Sequence, residues 1–258
     1  MTTRKKSKPL ILVTNDDGVT APGIAALVES VRHLGTVVVV APDSPQSGMG
    51  HAITIHDPLR LTHIRLFKGI ETYQCSGTPV DCVKLAVDKI LHRKPDLCVS
   101  GINHGSNSSI NVIYSGTMSA AMEAAIEGIP AIGFSLLDYS FEADFTAARQ
   151  YASRISEQVL KKGLPENTLL NVNIPKLRAS KIKGIKVCRQ ATAKYDEEFA
   201  ERVDPRNNKY YWLTGKFVNR DNGLDTDEWA LSNNYVSVVP VQFDLTAHHA
   251  IQHISTYF

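Results

Sequence analysis

Cysteine is scarce, with only Cys75, Cys82, Cys98 and Cys188 in 258 residues. No two of them form a CxxC pair and none has metal-type spacing. A disulfide framework or a structural zinc site is therefore not expected, and reduced thiols in a cytoplasmic protein are the simplest reading. Long apolar runs are missing too. None approaches the roughly 18 residues a membrane helix needs, and "PLILV", although it follows basic residues, is too short for a signal peptide and leads into "TNDDG" without a cleavage site. Excess charge is absent as well: the formal net charge is +2, which gives no basis for binding a nucleic-acid polymer by phosphate neutralisation. The basic cluster "RKKSK" at residues 4–8 reads as a solvated tail. There is no P-loop and no GxGxxG fingerprint, which argues against a triphosphatase or a dinucleotide enzyme. There is no GxSxG elbow and no Cys-His pair to support a Ser or Cys nucleophile. Internal repeats and low-complexity tracts are not found.

What the chain does hold is alternation. "PLILVT" (9–14), "VVVVAP" (37–42), "DLCVSG" (96–101) and "PAIGFS" (130–135) are near-continuous apolar runs of strand length, the pattern of strands buried on both faces of a parallel sheet. Between them lie helical patterns. Residues 22–34 place Ile24, Leu27, Val28, Val31 and Leu34 on one face. "GTPVDCVKLAVDKIL" opens with Thr78 as N-cap and Pro79 at the first helical position. "TMSAAMEAAIEG" and residues 142–162 continue the series, and "LLNVNIP" (169–175) adds a further strand. Strand–helix alternation of this length predicts a doubly wound α/β sheet.

The pattern breaks near residue 189. Residues 189–230 are rich in charge, Asn and Tyr, with one strand-like piece, "YYWLTG", and "YVSVVPVQFDLTA" (235–247) resumes strand character. The expectation is a single domain over 1–258: an α/β core (1–188), a hairpin excursion (189–230) and a C-terminal strand and tail (231–258). The excursion carries Tyr210, Tyr211, Trp212, Phe217 and Trp229. Aromatic residues of this kind are enriched at interfaces, so a homo-oligomer with the excursion at its interface is expected.

In an open α/β sheet, ligands bind beyond the carboxyl ends of the strands, where strand order reverses. Polar residues gather at those ends: Asn15, Asp16, Asp17 and Gly18 after the first run, Asp43, Ser44, Ser47 and His51 after the second, and Ser100, Asn103, His104, Ser106 and Asn107 after the third. Adjacent carboxylates repel, and burial raises their pKa unless a cation compensates. Two carboxylates with hydroxyl and amide oxygens suit a hard divalent cation, Mg²⁺ or Mn²⁺. Asn-Asp-Asp-Gly is also good turn chemistry, and alone it would read as a turn. The coincidence of polar loops at three successive strand ends favours the site. "SGTM" (115–118) opens a helix, so Ser115, Gly116 and Thr117 offer backbone N–H groups that suit a phosphate and also an ordinary N-cap. His51 and His104 lie in the candidate loops. His33, His56, His63 and His92 read as surface or packing positions, and His248, His249 and His253 as structural.

With these motifs in place the chain resembles the SurE (survival protein E) family of metal-dependent nucleotidases. The likeness rests on "TNDDGVTAPGI", "VVAPDSPQSG", "SGTPVDCVKLA", "PDLCVSGINHGSN" and "VIYSGTMSAAMEA", and extends through "LLNVNIP", Thr226-Asp227 and "YVSVVPVQFDLTA". It implies a Rossmann-like three-layer core and one divalent cation per subunit held by Asp16, Asp17, Ser47 and Asn103. It also implies a phosphate site of Asn107, Ser115, Gly116 and Thr117, and a C-terminal excursion that swaps between subunits in dimers or tetramers. His104 and Ser106 stand where the family commonly has smaller or different residues.

The function expected is hydrolysis of nucleoside 5′- and 3′-monophosphates to nucleoside and phosphate, with Asp16 and Asp17 at the catalytic centre and a metal-activated water as nucleophile. Asp17 and His104 are both candidates for the base. Two alternatives remain open: an Asp of the NDDG turn as a covalent nucleophile, and a nucleotide-binding module without turnover.

Overall fold

The computed structural model describes residues 8–140 and 142–258, so most of the basic N-terminal cluster (residues 4–7) lies outside the described residues. A nine-stranded sheet forms the middle layer. Its strands are β1 (Leu10–Thr14), β2 (Thr36–Pro42), β3 (Leu61–Ile64), β4 (Glu71–Cys75), β5 (Leu97–His104), β6 (Ala131–Leu136), β7 (Thr168–Ile174), β8 (Gly184–Val187) and, late in the chain, β11 (Tyr235–Gln242). The order is β3-β4-β2-β1-β5-β6-β7-β11-β8. The core from β4 through β7 is parallel, as expected, while β3 runs antiparallel to β4, and β11 antiparallel to β7.

Alternation along the strands builds the two outer layers. Ile11 and Val13 face one way with Val37, Val39, Val99 and Phe134, against helices α1 (Pro22–Val31) and α5 (Thr146–Lys162). Leu12 faces the other way with Val38, Val40 and Cys98, against α2 (Pro79–Leu85) and α4 (Gly116–Ile126). A one-turn helix, α3 (Asn111–Tyr114), precedes α4. All four cysteines are buried, and none forms a disulfide.

Several boundaries move. The helix expected over 22–34 ends at Val31. The helix expected through residue 91 is regular only to Leu85 and then widens into a π-turn over Ala86–Ile90. The helix expected from 142 begins at Thr146, whose N–H donates to Asp144 Oδ1. α2 is capped by Thr78 as expected, and Asp81 completes a capping box, the two satisfying each other's backbone N–H groups.

The excursion is one long antiparallel ribbon, β9 (Ala193–Val203) against β10 (Lys209–Asn219). Trp229 is not part of it. It sits on α6 (Asp227–Ser232), stacked on Tyr235 with Lys186 Nζ 4.0 Å above its ring. The chain closes with α7 (His248–Ile254) in place of a plain tail. Among the described residues no helix is long and apolar enough to cross a membrane.

Candidate active site

Strand order fixes where the site must lie. The chain leaves β1 for β2 and β4 on one side, then returns to lay β5 on the other. The crevice is therefore at the carboxyl ends of β1 and β5, where Thr14 and Ser100 stand in register. The turn after β1 is closed by Asn15, whose Nδ2 donates to the Gly18 carbonyl at 2.9 Å. This turn points Asp16 and Asp17 into the crevice mouth. Asp16 is 4% exposed.

α4 approaches Asp16 end-on. Thr117 Oγ1 donates to Asp16 Oδ1, and the backbone of Thr117 also favours the ionised carboxylate. Gly116 lies so close that a Cβ there would sit 2.7 Å from Asp16 Cβ. Ser115 caps the helix, its Oγ accepting from Met118 N at 3.0 Å. The expected phosphate turn and the first carboxylate thus meet, although both donors of Thr117 are directed at Asp16 itself.

The loop after β2 folds onto the same turn. Gln46 N donates to the Asp16 carbonyl at 2.8 Å, and Ser47 follows, exposed. From β5, Asn103 donates its amide hydrogens to the carbonyls of His104 and Gly105 at 3.2 and 3.0 Å, so its amide oxygen is the group left for a ligand. Burial pushes the Asp16 carboxyl up to about 6, against the hydrogen bond from Thr117 and with repulsion from Asp17. Burial also raises Asp17, while His104 partly offsets it.

Whether these residues suit a cation is tested by their unmet valences. Asp17 Oδ2, Asn15 Oδ1, Thr14 Oγ1 and Ser100 Oγ are buried oxygens without a hydrogen-bond partner. A buried carboxylate oxygen without a donor is costly, and a hard divalent ion is what such oxygens accommodate. Among the described residues no group of three His, Cys, Asp or Glu side chains is placed to hold a metal ion, so a cation here would rest on two carboxylates plus neutral oxygens. The donor set fits.

Asn107 lies deeper than its loop position suggested. It is 6% exposed, its N–H donates to Asn173 Oδ1, its carbonyl accepts from Asn171 Nδ2, and its own Nδ2 donates to Ser135 Oγ, each at 2.8 Å. The supporting asparagines on β7 are residues the sequence reading took only as strand. Two asparagines alternating inside a buried run were the available signal.

A second unforeseen set ties this loop to the base of the ribbon. Ser109 N donates to Asp227 Oδ2 at 2.8 Å, Ser108 donates to Glu228, and Asp227 Oδ1 accepts from Ala191 N at 2.9 Å. Arg189 grips Asp221 with two N–H groups and Asp225 with a third.

The histidines divide. His104 packs edge-on against Phe145 and stays beside Asp17. His51 instead pairs with the buried Glu123 at 2.9 Å, and Lys84 completes that cluster at 2.5 Å. His248 pairs with Asp244, four residues earlier, at 2.8 Å.

Comparison with known proteins decides the lineage. A family model described as survival protein SurE matches residues 11–197. The chain belongs to the SurE family. It is 68% identical over 254 residues to the 5′-nucleotidase SurE of Christiangramia forsetii, covering 98% of each chain. It is 46% identical to that of Bacteroides fragilis, covering 98% of this chain and 99% of the relative. The crystal structure of the SurE protein from Aquifex aeolicus superposes with a TM-score of 0.84 at 43% identity, over 96% of this chain and 99% of that one. The SurE fold, α/β in three layers with a mostly parallel sheet, is therefore the one expected, and a divalent metal is what a SurE nucleotidase implies.

Proposed function

We propose that the protein is a phosphomonoesterase that hydrolyses nucleoside 5′- and 3′-monophosphates to nucleoside and inorganic phosphate. The observation that carries this reading is the buried Asp16 set end-on against the α4 N-terminus, beside the unsatisfied Asp17 oxygen. Relatives named 5′-nucleotidase, one of them 68% identical, support the substrate class.

Asp16, Asp17, Ser47 and Asn103 would hold one divalent cation per subunit, Mg²⁺ or Mn²⁺. When bound, it would neutralise phosphoryl charge and lower the pKa of a water nucleophile. The chain's own groups do the rest. The positive end of the α4 dipole at Ser115-Gly116-Thr117 faces the developing negative charge. Asn107, immobilised by β7, fixes the far wall of the phosphate position. Thr117 orients the Asp16 carboxylate, and Asp17 or His104 takes the proton of the attacking water.

Phosphate release from AMP in H₂¹⁸O tests the chemistry. Label in the phosphate at the first turnover, with no phosphorylated protein after acid quench, is the expected result. A trapped aspartyl-phosphate, or nucleotide binding without release, would overturn it.

We also infer that the protein assembles as a homo-oligomer, a dimer or tetramer, through the ribbon. Phe199, Tyr211 and Trp212 are each more than half exposed on it. A two-stranded ribbon is marginal in water by itself, and a second copy would bury that surface.

A further inference from the structure

We propose that the notch between α3 and the root of the β9–β10 ribbon is the nucleobase site, so that the ribbon selects nucleotides over other phosphomonoesters. This rests on the phosphatase reading above and adds where the leaving group is held.

The notch is a cavity of about 480 Å³ lined by Asn111, Tyr114, Tyr195, Glu197, Leu213 and Gly215, within the range of small-molecule pockets. Its lining follows from register. Tyr195 pairs with Phe217, Glu197 with Gly215, and Phe199 with Leu213. Directly paired residues share a face, and residues two apart repeat it. Leu213, Gly215 and Phe217 therefore stand in a row, and Gly215 supplies the missing side chain in the middle. Its φ of +145° and a hypothetical Cβ only 2.5 Å from the Asp196 carbonyl reserve this position for glycine. The gap is thus built into the ribbon.

Position relative to the phosphate turn identifies the occupant. Tyr114, on one wall, is followed immediately by Ser115, the cap of α4, and consecutive Cα atoms are about 3.8 Å apart. The Tyr114 carbonyl accepts from Gly50 N at 3.3 Å, which joins the same wall to the loop carrying Ser47. On the other wall, Tyr195 packs edge-on against Phe217, with ring centroids 5.3 Å apart. The Tyr114 wall therefore begins at the proposed phosphate turn, and the Tyr195 wall faces it across the notch. A group leaving that position meets two tyrosines, a leucine, one amide and one carboxylate. Aromatic faces stack on any base, while Asn111 offers both a donor and acceptor to a base edge and Glu197 an acceptor for an exocyclic amine or ribose hydroxyl. An alkyl or sugar phosphate would leave these tyrosine faces uncovered. That chemistry fits a nucleoside.

The test compares AMP with ribose 5-phosphate, which has the phosphate and sugar but no base, in the wild-type metal-loaded oligomer and in Tyr195→Ala and Tyr195→Phe. Tyr195 is 41% exposed, so its replacement leaves the core intact. Expected is a rise of about tenfold in KM for AMP in Tyr195→Ala, equivalent to about 1.4 kcal/mol. The ratio of kcat/KM for AMP over ribose 5-phosphate should fall by the same factor, and Tyr195→Phe should restore it. Equal losses on both substrates, or none on AMP, would overturn the assignment. Adenosine binding measured by calorimetry decides the matter without turnover. Wild-type binding that weakens about tenfold in Tyr195→Ala supports the pocket even if no phosphate is ever released, in which case the phosphatase reading alone fails. Wild-type protein that does not bind adenosine overturns the pocket alone.

Discussion

Replacing Gly116 by Ala is the smallest change that strikes the site without removing a functional group. The new Cβ would sit 2.7 Å from Asp16 Cβ, 3.0 Å from Asp16 Oδ2 and 3.1 Å from Asp16 Cγ. Ordinary contact begins near 3.4 Å, so the carboxylate or the start of α4 must move by about 0.7 Å. Asp16 is 4% exposed and held by Thr117, so it has no free space to enter. Overpacking of this kind costs about 1–3 kcal/mol, and the better helix propensity of Ala returns somewhat under 1 kcal/mol. The net destabilisation expected is therefore about 1–2 kcal/mol, a fall of a few degrees in Tm for a chain of this size. Activity should suffer more, because a displacement approaching 1 Å at a reacting centre can cost on the order of a hundredfold. The assay is phosphate release from AMP at saturating Mn²⁺ alongside thermal unfolding of the same preparation. A variant with near wild-type kcat would show that Asp16 and the α4 N-terminus do not work together, and the site as described would be wrong.

Three further outcomes follow from other contacts. Asp16→Asn keeps an acceptor for Thr117 but removes the repulsion from Asp17, so the metal-free protein should hold or raise its Tm while hydrolysis falls at least a hundredfold; near wild-type turnover at saturating metal would refute the ligand role. Glu123→Gln should cost roughly 1–2 kcal/mol near neutral pH by weakening charge-assisted bonds. Burial pushes Glu123 up, but hydrogen bonds from His51 and Lys84 outweigh it and leave the carboxyl below its ordinary 4.5. A depressed folded pKa stabilises above the unfolded value and is lost as pH falls through the folded one, so the Tm gap between wild type and variant should shrink below pH 4.5; a constant gap would show that the ion cluster contributes no charge-dependent stability. Trp212→Asp on the ribbon should weaken self-association about thirtyfold, roughly 2 kcal/mol, moving the species seen by light scattering toward the 28.4 kDa monomer; unchanged assembly would place the interface elsewhere.

The sequence made the centre of the sheet legible because its strands are buried on both faces. Ile11, Leu12 and Val13 are all fully buried, as are Val39, Val40 and Ala41, and such strands must be apolar throughout. The edge strand β3 and its neighbour β4, "LTHI" and "ETYQC", carried no such signal: β3 has its two central residues exposed and is paired on one side only. β9 was missed for a stronger reason. "AKYDEEFAERV" is charged and almost wholly exposed, and it is a strand only because β10 pairs with it along its whole length. Asp16 and Asp17 could be picked out because a doubled carboxylate after an apolar run is chemically conspicuous. The roles of the β7 asparagines and of the clamp from Ser109 to Asp227 were not legible, since they act through contacts 64 to 118 residues apart in the chain. His51 shows the same limit. Its loop position placed it with the candidate site, and only the fold reveals that Glu123 on α4 holds its ring.

Metal dependence tests the central claim most directly, because the unsatisfied oxygens of the Asp16–Asp17 turn are assigned to a cation. Enzyme stripped by chelation should release no phosphate from AMP. Added Mg²⁺ or Mn²⁺ should restore release in wild type, with half-saturation far weaker in Asp17→Asn than in wild type. Full activity in thoroughly chelated enzyme, or equal metal requirements in wild type and Asp17→Asn, would contradict it.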